Sequence, residues 1–112
     1  LWGLYSGSDR PPDTCMINYY GEGARMGLHQ DRDEADIDQP VLSLSLGDAA
    51  LFRVGNVEKG GSTESVWLTS GDVAVLAGDA RLVHHGIDRI RFGSSTLLPQ
   101  GGRINVTMRV AT

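Results

Sequence analysis

The final strand-forming stretch, Arg103-Ile104-Asn105-Val106-Thr107-Met108-Arg109-Val110, alternates polar and apolar residues without a break. Successive side chains of an extended strand point to opposite faces, so Arg103, Asn105, Thr107 and Arg109 share one face and Ile104, Val106, Met108 and Val110 the other. One meaning of the pattern is an amphipathic strand with its polar face in water. The other is a barrel wall. Two guanidiniums about 20 Å apart, at ~3.4 Å per residue, bracket an amide and a hydroxyl and suit a bound anion, for which a small dicarboxylate is the natural candidate.

The same period of two recurs along the chain. In Cys15-Met16-Ile17-Asn18-Tyr19-Tyr20 it places Asn18 and Tyr20 on one side with Met16. Val41 to Gly47 alternates leucine with serine, and Ala49 to Val54 follows a tight turn at Gly47-Asp48, so the two are expected to form a hairpin. Ser65–Leu68 and Asp72–Leu76, joined by Thr69-Ser70-Gly71, predict a second hairpin. Leu82 to Ile87 predicts a strand bearing His84 and His85, and 89–101 a loop. With 15 glycines in 112 residues and only 6% aromatics, many short strands with tight turns outweigh helices. The expectation is a mostly β sandwich or barrel forming one domain over residues 1–112. The lone cysteine, Cys15, excludes an internal disulfide and suits a reducing cytoplasm. No stretch of about eighteen apolar residues and no leader pattern is present, so the expectation is a soluble, cytoplasmic chain without membrane association. Its first residue, Leu1, suggests a piece of a longer chain. A net charge of −4 argues against a broad basic face, although Arg81, Arg89, Arg91 and Lys59 could form a smaller positive patch.

Chemistry concentrates in Leu28-His29-Gln30-Asp31-Arg32-Asp33-Glu34. His29 and Asp31, two apart on extended backbone, can converge on one cation. All three histidines of the chain fall here or in Val83-His84-His85-Gly86-Ile87, and either of the downstream pair could complete a set of two histidines and one carboxylate. Such a set leaves positions open on ferrous iron. A histidine and an aspartate at this spacing are also a frequent coincidence, so the polar row of 103–109 carries much of the weight.

Four segments together resemble the AlkB-type iron(II) and 2-oxoglutarate-dependent dioxygenases: Asn18-Tyr19-Tyr20, Leu28 to Glu34, His85-Gly86-Ile87, and the Arg-x-Asn-x-Thr-x-Arg of Arg103 to Arg109. The resemblance spans Cys15 to Val110 and implies a double-stranded β-helix, a jelly-roll variant. It implies His29, Asp31 and His85 as the Fe(II) ligands and catalytic centre, choosing His85 over His84 because the family's ligand directly precedes the Gly-Ile pair. It assigns the 2-oxoglutarate site to Asn18, Tyr20, Arg103, Asn105 and Arg109, with Arg103 on the distal carboxylate and Arg109 toward the metal, and gives Asp33 the position that reads the damaged base. The implied activity is oxidative dealkylation of N-alkylated bases, in which O2 and 2-oxoglutarate are consumed and succinate, CO2 and formaldehyde released. The implied partner is an alkylated DNA or RNA base, single-stranded or flipped out, and the protein is expected to be a monomer. Two departures stand out. Only Trp2 and Tyr5 precede Cys15 as aromatics for a base-stacking lid, and Leu76 stands where the family often has a large aromatic. A dioxygenase of the same fold acting on a protein or small molecule is the nearest alternative, separable by testing methylated oligonucleotides against a metabolite panel. A non-catalytic jelly-roll binding module is the more distant one and would need no 2-oxoglutarate.

Overall fold

The structure, a computed structural model, describes residues 11–32 and 39–110. Asp33 and the aromatics before Cys15 therefore lie outside the described residues. Eight strands follow in order: β1 (Thr14–Tyr20), β2 (Met26–His29), β3 (Val41–Gly47), β4 (Ala49–Val54), β5 (Glu64–Leu68), β6 (Val73–Leu76), β7 (His85–Arg91) and β8 (Arg103–Arg109). Among the described residues one 3-10 turn, Gly78–Ala80, follows β6, and no α-helix occurs. The strands build two antiparallel four-stranded sheets, ordered β1-β8-β3-β6 and β2-β7-β4-β5. This is the expected double-stranded β-helix.

Neither expected hairpin forms. β3 and β4 belong to different sheets, as do β5 and β6. The local alternation correctly marks the strands, but pairing is decided by distant partners: β3 takes β8 over seven consecutive pairs, and β4 takes β7 and β5. At the β3–β4 corner Gly47 adopts φ +89°, and the Asp48 N–H donates to the Gly102 carbonyl at 2.8 Å instead of across a hairpin. The β5–β6 connection likewise folds back onto β3, with the Gly71 N–H donating to the Ser45 carbonyl at 2.7 Å. The strand expected at Leu82 begins later, at His85, and continues to Arg91 through part of the expected loop.

Burial on β8 is the reverse of an ordinary amphipathic strand. Arg103 and Asn105 are buried, whereas Ile104, Val106 and Met108 are only half-buried. The reason is position: β8 lies between β1 and β3, with its polar row turned toward the opposite sheet. A compact apolar cluster of Tyr20, Ala50 and Ile87, with Ala24, Met26, Phe52 and Ile90 packed against it, joins the sheets beside that row. The expected positive patch is also altered. Arg81 is buried, and Arg89 and Arg91 lie 5.4 and 4.2 Å from the Trp67 ring centre.

Gly47 tests the corner. A Cβ at this position would stand 2.5 Å from the Gly102 carbonyl oxygen on a left-handed backbone, so Gly47→Ala should destabilise the protein by more than about 1 kcal/mol. Urea unfolding should show the loss as a lower midpoint with an unchanged slope.

Candidate metal and anion site

One cavity opens between the sheets, of about 120 Å³. At roughly 10 to 15 Å³ for each water it could hold, there is room for a small organic acid. Its lining includes both polar rows read from the sequence: Asn18 and Tyr20 from β1, and Arg103, Asn105, Thr107 and Arg109 from β8. His29, Asp31 and His85 line it too.

The end of β2, the residues just beyond it and the start of β7 bring these three side chains together, because His29 and His85 are register partners across the two strands. The Asp31 carboxylate lies 3.3 Å from His85 Nε2 and 3.8 Å from His29 Nε2, and one ligand atom from each of the three falls within 4.8 Å of the others. Each imidazole is oriented by its own strand. His29 Nδ1 sits 3.0 Å from the Gly27 carbonyl and His85 Nδ1 3.1 Å from that of Val83. A carbonyl accepts only from N–H, so in the neutral rings the lone pair is left on Nε2, facing the aspartate. His84 does not join them. Its ring Nδ1 and its backbone N–H both donate to the Asn56 carbonyl, each at 2.8 Å, which fastens the β4–β5 loop. The donor set, two imidazoles and a carboxylate on one side of a cavity, fits ferrous iron.

The electrostatics suit a cation. A hydrogen bond from His85 lowers the Asp31 pKa; burial opposes this, and the charges of His85, His29 and Arg109 reinforce it. Burial of His85 disfavours its charged form, but the Asp31 hydrogen bond, the Val83 carbonyl and the Asp31 charge outweigh it and leave the pKa raised. Arg109 closes this end, 3.5 Å from Asp31.

Arg103 lies at the far end of β8 and is 1% exposed. Its guanidinium donates to Ser45 Oγ at 2.9 Å and lies 5.3 Å from the Tyr20 ring centre, while Nε has no hydrogen-bond partner. Burial lowers its pKa, an effect the Tyr20 phenol opposes; burial likewise raises that of Tyr20. No carboxylate faces Arg103 among the described residues. A buried cation with an unmet donor is strongly favoured to take up an anion. Between the two ends Asn105 donates to Ser43 and accepts from Thr107 at 2.7 Å.

Several supporting side chains escaped the sequence reading. Ser43 and Ser45 belong to a strand that reads as merely half-buried, yet their face is the cavity face. Gln30, between two candidate ligands, donates to the carbonyls of Val57 at 2.8 Å and Leu82 at 2.7 Å. Buried Arg81 donates to the carbonyls of Asp31 and Gln39 and so fixes the backbone on both sides of 33–38. A lone arginine entering the apolar run Leu82-Val83 was the available signal.

The sheet order and this donor set define a class, the jelly-roll proteins with a candidate two-histidine, one-carboxylate metal centre, and the comparisons narrow it. The profile of the 2OG-Fe(II) oxygenase superfamily matches residues 5–109, and the chain belongs to that superfamily. Within it the chain is of the AlkB type. It is 59% identical over 99% of its length to an alpha-ketoglutarate-dependent dioxygenase AlkB homolog of Caulobacter vibrioides, of which it spans 50%. It is 39% identical over 88% of its length to the DNA N(6)-methyladenine demethylase ALKBH1D of Arabidopsis thaliana, covering 24% of that protein. A solved structure of OsALKBH1 superposes with a TM-score of 0.82 at 38% identity, covering 90% of this chain and 49% of that one. The chain thus spans about half the length, or less, of the relatives it matches.

The shifted pair makes the metal-free protein pH-sensitive in both directions. Asp31, depressed from 3.8, contributes stability that is present above that value and lost as pH falls through its lower folded value. His85, raised from 6.5, contributes stability present below that value and lost as pH rises through its higher folded value. The pair should therefore help most between these limits, and Asp31→Asn should flatten that part of a pH–denaturation profile. A divalent metal held by this donor set would have to displace the His85 proton, so Mn(II) affinity by calorimetry should be weaker at about pH 6 than at about pH 8.

Proposed function

We propose that this chain forms one Fe(II)- and 2-oxoglutarate-dependent dioxygenase domain that oxidatively dealkylates N-alkylated bases in nucleic acid. The observation that carries the reading is the cavity itself, with the His29, Asp31 and His85 donors at one end and buried Arg103, its Nε unmet, at the other. The relatives' own descriptions, an alpha-ketoglutarate-dependent dioxygenase and a DNA demethylase, support the cosubstrate and the substrate class.

In this reading His29, Asp31 and His85 hold Fe(II). Bound there, Fe(II) would supply the O2-dependent oxidation in which 2-oxoglutarate is converted to succinate and CO2 and the alkyl carbon is hydroxylated, and the resulting hydroxyalkyl group on nitrogen would leave as an aldehyde, formaldehyde for a methyl group. The polypeptide's share is binding and orientation. The Gly27 and Val83 carbonyls keep both imidazoles presenting Nε2. Arg103 pairs with the distal carboxylate of the cosubstrate against Tyr20, and Asn18 and Asn105 offer hydrogen bonds along its length. Arg109 stands at the metal end, where it partners Asp31. Phe52, Leu76 and Ile87 line the remaining wall and limit water at the reacting centre. Asp33, two residues after Asp31 in the sequence, is our candidate for reading the base. A duplex base must leave the stack to reach such a cavity, so the partner is a single-stranded or flipped-out DNA or RNA base. We further propose that the protein acts as a monomer in the cytoplasm, a compartment consistent with its single cysteine. Among the described residues no helix is long and apolar enough to cross a membrane.

The two neighbouring histidines should behave oppositely. His85→Ala should abolish succinate formation, whereas His84→Ala, which frees only the β4–β5 loop, should retain most of it. Active His85→Ala protein would overturn the ligand assignment.

Arg103→Ala removes a charge-assisted pair of roughly 1.5 to 3 kcal/mol, so 2-oxoglutarate affinity should fall about tenfold to a hundredfold with Mn(II) affinity preserved. Arg103→Lys should rescue only part of the loss, since a point charge cannot reproduce the planar fork. Calorimetry on both variants tests this.

A further inference from the structure

Asp48 is a buried carboxylate that the chemistry above does not use. It sits at the corner between β3 and β4 with 1% exposure, and its partners are backbone amides: the N–H groups of Gly93 at 2.8 Å and Gly102 at 2.7 Å reach one oxygen, and that of Ser95 at 2.8 Å reaches the other. Its own N–H donates to the Gly102 carbonyl. Next to it the Ala49 N–H donates to Ser94 Oγ at 2.9 Å. The corner is therefore tied to both ends of the connection from β7 to β8. Burial alone would push the Asp48 pKa up; the surrounding amides more than offset this and hold it below the ordinary carboxylate value, so the side chain is ionised wherever the protein is folded near neutral pH.

The tie ends one residue before Arg103. Gly102, gripped through both its N–H and its carbonyl, is in a left-handed conformation at φ +99°, and Gly47 is the register partner of Arg103 across β3 and β8. Beyond that point the Arg103 guanidinium is steadied by one hydrogen bond, to Ser45, and by the Tyr20 ring. Its aim into the cavity therefore depends on where the backbone of β8 begins. That starting point is set from Asp48.

We propose that Asp48 is a positioning residue for the cosubstrate anion: by clamping Gly93, Ser95 and Gly102 to the β3–β4 corner it fixes the Gly102–Arg103 junction, and with it the pose of the arginine that meets the distal carboxylate. The proposal rests on the reading of Arg103 as the 2-oxoglutarate anchor. It makes the connection 92–102 part of the anion site although it supplies no cavity-lining side chain. Asp48→Asn keeps the volume but turns an NH2 group toward backbone donors, leaving at least one amide unpaired in a buried place. The effect should reach 2-oxoglutarate through Arg103 and leave the metal end, built on β2 and β7, alone.

The test is a double-mutant cycle on the whole chain, with Mn(II) in place of Fe(II) and 2-oxoglutarate titrated by calorimetry. Asp48→Asn should weaken 2-oxoglutarate about tenfold and leave Mn(II) affinity within about twofold, since one hydrogen-bonded charge is disturbed. In the Arg103→Ala background the same change should cost nothing further, because the group it positions is gone. Losses that multiply, or unchanged 2-oxoglutarate affinity in Asp48→Asn when Arg103→Ala weakens it, would overturn the positioning role while sparing the anchor. If Arg103→Ala itself binds 2-oxoglutarate normally, the anchor reading fails and the proposal falls with it. Should Asp48→Asn not fold, hydrogen exchange of the unaltered protein decides. Adding 2-oxoglutarate to the Mn(II) form should slow exchange of the Gly93, Ser95 and Gly102 amides together, and protection equal to that with Mn(II) alone would refute the coupling.

Discussion

A strand carrying four polar side chains on one face can occupy the middle of a sheet facing another sheet only if that face lines a cavity. β8 meets this constraint. Its backbone is paired on both sides, with β1 and β3, so its polar row is turned toward the opposite sheet. Burying one guanidinium and half-burying another is costly unless anions or strong acceptors meet them. At one end Asp31 partners Arg109; at the other Arg103 has a serine, a tyrosine face and an unmet Nε. The rest of the architecture arranges itself around that difference, with the candidate metal donors where the carboxylate is and the proposed anion site where it is missing.

The opposite sheet supplies the complementary constraint. β2 reaches only to His29, and its pairing with β7 is irregular between Met26 and His29. The close approach at Gly86, where a Cβ would stand 2.5 Å from the Met26 carbonyl oxygen, lets the two histidines lie opposite each other. A side chain at that point would push β2 away. Gln30 and Arg81 then hold the backbone on either side of Asp31 through carbonyls. Precision at the donor set thus comes from main-chain contacts of residues interleaved with the donors.

Much of this was legible from alternation and spacing. Strand parity grouped Asn18 with Tyr20, and Arg103 with Asn105, Thr107 and Arg109, and all six line the cavity. The fold class followed from the same periodicity together with the resemblance. Pairing was not legible. Gly47-Asp48 looks like a hairpin turn because local sequence cannot announce that β8, over fifty residues away, will take β3. The choice between His84 and His85 was closed to residue-level reasoning for a related reason: it depends on where β7 begins and on its register with β2, which pairs His85 with His29 and leaves His84 just ahead of the strand. Asp48 was hidden as well, since an acid after a glycine reads as a solvated turn until the amides of a distant loop close on it.

The central claim is that one cavity binds Fe(II) and a 2-oxo diacid together, the metal at the histidine end and the far carboxylate at Arg103. An anaerobic absorption titration of 2-oxoglutarate into the Fe(II) protein addresses it most directly, because a 2-oxo acid chelating ferrous iron through its keto and carboxylate oxygens develops a visible charge-transfer band. The account predicts a saturable band with one equivalent of 2-oxoglutarate, far weaker with pyruvate, which has the chelating end but no distal carboxylate. Absence of the band, or equal affinity for pyruvate and 2-oxoglutarate, would contradict it.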